Sequence, residues 1–148
     1  MVNGEAVNMV VPGQYTDIQR KWSKDDVVTV ELDMRGRVVR LGKLPENVAI
    51  VRGPVVLARD ARLEGPSMEA MVTPLTDKNG YLNLETAGEK QGIWMLFKAN
   101  FKPESYKEEG SQPVSVTLCD YASAGNTNDE HSRFRTWLPQ LIDPSKMP

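Results

Sequence analysis

The clearest pattern along the chain is an alternation of apolar and polar positions over residues 27–34. Apolar side chains occupy every second position, at Val28, Val30, Leu32 and Met34, and the intervening positions are mainly polar. A period of two places alternate side chains on opposite faces of a strand. The segment is therefore predicted to be a β-strand with one buried face.

Eight further segments have the composition of strands: residues 15–22, 37–41, 48–58, 69–75, 81–85, 93–99, 114–121 and 133–138. Turn-forming pairs separate them, such as Pro12-Gly13, Gly65-Pro66 and Gly125-Asn126. Helical character is limited at best to residues 103–109, which we interpret as a loop or a single turn. Many short strands at this spacing point to a sandwich or a barrel. We expect an all-β fold, an antiparallel β-sandwich of jelly-roll type.

A change in composition near residues 63–66 divides the chain into a first half with regular strands and a second half with longer loops. Residues 1–64 are predicted to be the end of a first β-sandwich module, and residues 65–148 a second β module. One continuous domain explains the pattern equally well, because each half alone is small for an independent core. Asn3-Gly4 is a strong hairpin signal with only two residues before it, which predicts that the natural chain continues upstream.

Composition and charge exclude several classes of function. The chain has 148 residues, 40% of them hydrophobic, and a formal charge of −2 with no block of either sign. These values are typical of a folded domain and argue against nucleic-acid binding and against attachment to an anionic membrane. The apolar run at residues 93–97 is far too short to cross a bilayer. Cys119, the single cysteine, has no partner for an internal disulfide.

A search for catalytic chemistry returns no complete site. The adjacent carboxylates Asp25-Asp26, Glu108-Glu109 and Asp129-Glu130 would point to opposite faces of a strand, which is typical of solvated turns. His131 is the only histidine, so a zinc site with several histidines or cysteines is not expected. No catalytic residue, metal or cofactor is predicted for this chain.

Aromatic residues are the remaining candidates for ligand binding. Trp22, Trp94 and Trp137 each have apolar neighbours in strand-like segments and are predicted to lie in the core. A polar loop offers a different group, which could form a sugar-contact patch and consists of Tyr121, Asn126, Asn128 and His131.

Arg52, Gly53 and Pro54 interrupt the apolar segment 48–58. Proline cannot donate a hydrogen bond to a neighbouring strand, and glycine permits a bulge or a close approach of two backbones. The three residues are predicted to form a local break, structural by default, and Arg52, Gly53 and Pro54 are together a candidate interface with a neighbouring domain. Arg52 would face that domain or pair with a carboxylate.

Several of these motifs, in this order, resemble the C-terminal β region of glycoside hydrolase family 127. The similarity is strongest over about the first sixty residues, in Val2-Asn3-Gly4-Glu5, residues 15–22 ending in Arg20-Lys21-Trp22, the strand at 27–34 and the segment 48–56 with Arg52-Gly53-Pro54. It is looser at residues 120–126 and 134–139.

The resemblance implies a bacterial parent enzyme with an upstream helical barrel that removes β-L-arabinofuranosyl groups from glycans. Its zinc-bound catalytic cysteine and its glutamate have no counterpart here, so this chain is expected to be a non-catalytic domain that packs on the barrel and supports it. The alternative is a carbohydrate-binding module that holds a glycan near the active site. The partners implied are the upstream domain, a plant-type oligosaccharide and a second copy in a homodimer. The compartment is left open, a periplasmic or secreted parent being compatible with the sequence.

Overall fold

The structure is a computed structural model that describes residues 1–41, 47–104, 111–127 and 132–141. The chain divides into two compact units, Met1–Leu32 and Asp33–Pro148. Each unit is presented by itself below.

The larger unit contains all the named strands of the described residues. They are β1 (Gly36–Arg40), β2 (Asn47–Arg52), β3 (Val55–Asp60), β4 (Val72–Pro74), β5 (Tyr81–Leu82), β6 (Glu85–Thr86), β7 (Leu96–Pro103), β8 (Val114–Asp120), β9 (Phe134–Arg135) and β10 (Trp137–Pro139). One turn of 3-10 helix, Tyr121–Ser123, follows β8. The predicted all-β class is confirmed.

The strands form one antiparallel sheet in the order β4-β7-β8-β3-β2-β1-β5, and three short strands lie off this path, β6 paired with β7, β9 with β3 and β10 with β2. The chain after β4 brings the two ends of this order together. Leu75 N donates to Asn100 O of β7 at 3.0 Å, whereas Thr76 pairs with Leu82 of β5 and Asp77 N donates to Tyr81 O at 2.8 Å. The sheet is therefore nearly closed. Strands from both sides of position 64 belong to it, for example β3 and β8.

The inner face of the sheet encloses the main core. Its largest fully buried side chains include Phe101, Ile50, Leu57 and Leu118, from four different strands. Burial of each such side chain contributes about 1.5–3 kcal/mol relative to exposure. The core thus joins strands on opposite sides of the sheet.

A smaller apolar cluster lies on the outer face. Ala58, Leu96 and Cys119 come from the adjacent strands β3, β7 and β8, and they are covered by Leu63 and Ile93 among others. Leu63 belongs to the loop at residues 61–71, and Ile93 to the loop at residues 87–95. These loops are consequently anchored to the sheet, which matters for the site described below.

Arg52, Gly53 and Pro54 form the tight turn between β2 and β3. Arg52 pairs with Val55, so Gly53 and Pro54 are the two loop residues, and Gly53 has a φ of +56°. Proline cannot adopt a positive φ, which leaves a turn with positive φ at its first position only, the type II′ hairpin. The predicted break is a hairpin turn rather than a bulge. At the other end of the hairpin, β10 pairs with β2 and β9 with β3.

The smaller unit, Met1–Leu32, is organised around the Asn3-Gly4 turn. Both residues have positive φ, and Val2 and Glu5 exchange two backbone hydrogen bonds of 2.8 and 2.9 Å. The Asn3 side chain accepts from Val27 N at 2.8 Å and donates to Asp26 Oδ1 at 2.7 Å. The hairpin turn expected from the sequence is therefore present.

The strands predicted at residues 15–22 and 27–34 are wrong, because neither segment forms a named strand although both are described in full. Only Val28 makes an isolated bridge, with Val2. The apolar positions of the second segment are exposed, Val30 at 74%. An alternating pattern produces a buried face only where another element covers it.

No helix in the described residues is long and apolar enough to cross a membrane.

Candidate functional site

Asp120, at the end of β8, organises the loops at one end of the sheet. Its buried carboxylate accepts hydrogen bonds from Ser123 N at 3.0 Å, from Ser123 Oγ at 2.9 Å and from Met95 N at 2.9 Å. The first two bonds cap the 3-10 turn, and the third ties that turn to the chain entering β7. The backbone on both sides of this contact is thereby fixed.

Trp94 is held at the same place by its backbone. Its N–H donates to Ser123 Oγ at 3.0 Å, yet 86% of the residue is exposed. The predicted core placement is wrong for all three tryptophans, since Trp22 and Trp137 are 49% and 42% exposed. For Trp94 the reason is that β7 begins only at Leu96, so the apolar run from Ile93 starts in a loop rather than in the sheet.

Tyr121 begins the 3-10 turn and is 55% exposed. Its ring lies against that of Phe134, which is also exposed, with centroids 5.8 Å apart and the planes tilted by 54°. Such tilted pairs are a favourable arrangement for two aromatic rings. Trp94, Tyr121 and Phe134 are called the aromatic cluster below, since Trp94 and Tyr121 both adjoin the Asp120–Ser123 contact.

A second polar network connects the loop after β3 with the loop after the 3-10 turn. Arg62 donates from Nε to Asp60 Oδ1 at 2.8 Å, from Nη2 to Asp60 Oδ2 at 2.6 Å and from Nη1 to Asn126 Oδ1 at 2.9 Å. Gly125 N donates to Asp60 Oδ2 at 2.9 Å, and Asn126 Nδ2 donates to Gly92 O at 2.8 Å. Three loops are thus joined through one carboxylate and one guanidinium.

The protonation of Asp60 reflects this network. Burial acts to raise its pKa, but the hydrogen bonds from the Arg62 side chain and from the backbone N–H groups of Gly125 and Arg62 outweigh it. The pKa of Asp60 therefore lies below its ordinary value of 3.8. The carboxylate stays ionised, which preserves the charged pair with Arg62.

Tyr121 and Asn126, both predicted to contact sugar, lie in the same loop region. Asn126 is exposed, but both ends of its amide are engaged, which indicates a role in positioning the loop. Asn128 and His131 lie outside the described residues. Trp94 was predicted to lie in the core and Phe134 was not singled out, and the only signal in the sequence for either was its closeness to turn residues.

Arg52 stands apart from this region of polar contacts. Its guanidinium carbon lies 5.0 Å from the centroid of the buried Phe97 ring, within the range of a cation–π contact. Gly53 is closely approached by Met34, whose Sδ occupies the space that a Cβ would need. The hairpin turn is therefore packed against the chain that leads into β1.

Cys119 is fully buried. Burial, followed by the charges of Asp60 and Asp120, raises the pKa of its thiol to about 12. The thiolate is the reactive form of cysteine, so this residue is chemically inert in the folded protein. Within the described ranges, no group of three or more histidine, cysteine or acidic side chains could hold a metal ion.

Comparison with known proteins gives one informative likeness. No protein-family model and no curated protein matches the chain. A solved structure described as a glycoside hydrolase is similar in fold, with a TM-score of 0.53 and 19% sequence identity. The match covers 94% of this chain and 25% of that one, so the chain spans a quarter of the length of the structure that it resembles. The fold of this chain is thus similar to one part of a glycoside hydrolase.

Proposed function

We propose that this chain is a non-catalytic β domain of a glycoside hydrolase, where it packs on the upstream catalytic domain and supports it. The likeness in fold to a quarter of a glycoside hydrolase is consistent with an accessory part of such an enzyme. In its finer form, the proposal is that the parent is a bacterial enzyme of family 127 that acts on arabinose-containing glycans. This part rests on the sequence motifs described above.

The observation that carries the packing role is the apolar row of the smaller unit. Val28, Val30 and Leu32 alternate with polar residues and are all more than half exposed. The same unit also exposes Met9 and Val10. Several exposed apolar side chains within one small unit are typical of a surface that another element covers. A partner domain would remove these side chains from water, at about 25 cal/mol for each Å² buried.

The test measures association between this chain and the separately produced catalytic domain of the same polypeptide. We expect binding by isothermal titration calorimetry and a loss of about tenfold or more in Val30→Asp, because a charge would be buried in an apolar interface. Thr29→Asp is the matched control, since it adds the same charge on the polar positions of the same segment. No association, or equal affinity of the two variants, would contradict the packing role.

The second candidate is a carbohydrate-binding module, which the aromatic cluster favours. The exposed rings are those of Trp94 in the loop before β7, Tyr121 in the 3-10 turn and Phe134 in β9, and hydrogen bonds to Ser123 and Asp120 hold the first two segments in place. A rigid aromatic surface can stack on the apolar face of a sugar ring with little loss of conformational entropy. This role needs no catalytic residue in the chain.

Titration with arabinofuranosyl and other plant-type oligosaccharides tests the second candidate. Saturable changes in tryptophan fluorescence and amide chemical shifts are expected near residues 94 and 121. Trp94→Ala should abolish them and Trp22→Ala should not, because Trp22 belongs to the other unit. An unchanged response in Trp94→Ala would exclude the aromatic cluster as the site.

A further inference from the structure

A pocket of about 590 Å³ lies in the larger unit, at the seam where the sheet closes. Its lining includes Gly36 at the start of β1, Leu82 of β5, Thr76 and Asp77 of the closing segment, and Asn100 of β7. This volume is within the range of about 300–1,000 Å³ that is usual for small-molecule sites. None of these residues belongs to the aromatic cluster.

Two arginines line the pocket, Arg35 and Arg52, and among the described residues only Arg35 has a carboxylate partner. Arg35 lies 3.7 Å above the Tyr81 ring and donates to Asp33 from Nε at 2.9 Å and from Nη2 at 2.7 Å, so a carboxylate compensates it. Arg52 is half-buried and lies against the Phe97 ring. Its guanidinium makes no hydrogen bond and no ion pair with any described residue. Arg52 is therefore the pocket arginine whose charge no carboxylate of the described chain compensates.

The chemistry of Arg52 selects a particular partner. A guanidinium carries five N–H donors in a planar fork, and stacking on a ring uses its face but leaves its edge available. A carboxylate fits that edge through two parallel, charge-assisted hydrogen bonds. Removing a cation partly from water also has a cost that an anionic ligand offsets. A ligand with a carboxylate would therefore pair with Arg52 along this edge.

The other polar groups of the pocket suit hydroxyl groups. Thr76 and Asn100 make no side-chain hydrogen bond within the described part of the chain. Asp77 uses Oδ1 to accept from Asn79 N at 2.8 Å and from Tyr81 N at 2.9 Å, and its Oδ2 has no such partner. Leu82 and Leu84 add apolar surface. Two neutral side chains and one carboxylate oxygen beside an apolar wall match a sugar ring with several hydroxyl groups.

We propose that this pocket binds a sugar unit that carries a carboxylate, a uronic acid in chemical class. The carboxylate pairs with Arg52, and the hydroxyl groups bond to Thr76, Asp77 and Asn100. The inference stands on the pocket alone and does not require that the chain pack on a catalytic domain.

The experiment titrates the full chain, labelled with ¹⁵N, with sodium galacturonate and records amide and arginine Nε–H chemical shifts. Saturable shifts are expected at Thr76, Leu82 and Asn83 and at the Arg52 side chain. Galactose is the neutral match of this probe and should bind at least about tenfold more weakly, because it cannot form the charged pair. Equal shifts with the two sugars, or no shift up to about 50 mM galacturonate, would overturn the proposal.

Variants of Arg52 test whether the affinity for galacturonate depends on this side chain. Arg52→Gln should lose at least about tenfold in affinity, and Arg52→Lys should lose less because it retains the charge without the fork. Arg40→Gln is the matched control, since Arg40 is an exposed arginine of β1 outside the pocket lining. The spectrum of each free variant establishes that it is folded. Unchanged affinity in Arg52→Gln would overturn the proposal.

Sodium acetate separates a sugar site from a site for any carboxylate. We expect acetate to bind much more weakly than galacturonate, because it lacks the hydroxyl groups that Thr76, Asp77 and Asn100 would hold. Equal affinity for both would overturn the sugar assignment and would instead favour an acidic side chain of another domain as the occupant.

Discussion

Arg62 donates hydrogen bonds to both carboxylate oxygens of Asp60, and the shorter of them, from Nη2 to Oδ2, is 2.6 Å long. The Asp60 side chain is fully buried and the Arg62 side chain nearly so. The same Asp60 carboxylate also accepts a hydrogen bond from Gly125 N. One ion pair therefore holds the loop after β3 to the loop that follows the 3-10 turn.

Replacing Asp60 by asparagine should lower the free energy of unfolding by about 3 kcal/mol, because it leaves the Arg62 charge without its buried partner. Urea unfolding followed by fluorescence measures this change. Asp25→Asn is the control, since it alters an exposed carboxylate and should change stability by less than about 0.5 kcal/mol. Equal stability of the two variants would show that the pair contributes nothing net.

Stability should fall in acid. The pKa of Asp60 is lower in the folded protein than the ordinary value of 3.8, and hydrogen bonds from Arg35 lower the pKa of the exposed Asp33 to about 2. A lowered folded-state pKa gives stability that is complete above the unfolded-state pKa and is lost as the pH falls through the folded-state pKa. Urea midpoints should thus be flat from pH 7 to about pH 5 and should decrease below about pH 4.

The same titration in Asp60→Asn checks the assignment. Its midpoint should decrease less steeply below about pH 4, because Asp60 no longer takes up a proton on unfolding. An identical slope in the two proteins would assign the acid sensitivity to other carboxylates.

Gly53→Ala should destabilise the protein more than Gly80→Ala. Both glycines have positive φ, which costs a non-glycine residue about 1–2 kcal/mol. Only at Gly53 does a new Cβ also meet a neighbouring atom, Met34 Sδ, whereas Gly80 has nothing within 4 Å. Thermal unfolding of the two variants measures the difference. Met34→Ala added to Gly53→Ala should restore part of the loss, and a failure to do so would exclude the clash as its cause.

The thiol of Cys119 should not react with Ellman's reagent at pH 8 in the folded protein. It is fully buried, and its pKa is raised to about 12, so almost no thiolate is present. One equivalent should react after denaturation in urea, with Cys119→Ser as the blank. Rapid stoichiometric reaction without denaturant would mean that the outer-face cluster opens readily.

Leu118→Ala should cost about 2–5 kcal/mol, because Leu118 is nearly inaccessible and its removal leaves a cavity in the main core. Leu41→Ala is the matched control, since Leu41 is largely exposed and should lose less than about 0.5 kcal/mol. Denaturant midpoints of both variants test the position of the core. Similar losses at the two positions would contradict it.

The sequence predicted the strands of the larger unit well because their alternation agrees with the inner face of a sheet. Segment 114–121 contains β8, and segment 48–58, predicted as one run with a local break, contains most of β2 and β3, which the Gly53-Pro54 turn separates. It failed at residues 27–34, where the pattern is equally clear but nothing in the smaller unit covers the apolar side. The alternation of apolar and polar residues shows which side chains favour burial. Whether they are buried depends on the elements that pack against them.

The candidate sites were predicted less completely. Tyr121 and Asn126 were identified from their loop composition, and Arg52 from its place beside a glycine and a proline. Trp94 was assigned to the core because its neighbours are apolar, and its exposure depends on where β7 begins, which the sequence does not mark. The pocket at the seam brings residues 35, 52, 76 and 100 together, and only the order of strands in the sheet makes them neighbours.

The strand β10 has a consequence for how the protein is made. On one edge of β2, residues 50–52 pair with the adjacent strand β3, whereas residues 47–49 pair with residues 137–139 and stay unpaired until that distant segment has been synthesised. An unpaired strand edge can pair with other chains, and contacts between distant parts of a sequence form slowly. During biosynthesis, β2 is therefore complete before its edge at residues 47–49 has a partner. Aggregation competes with folding during that period.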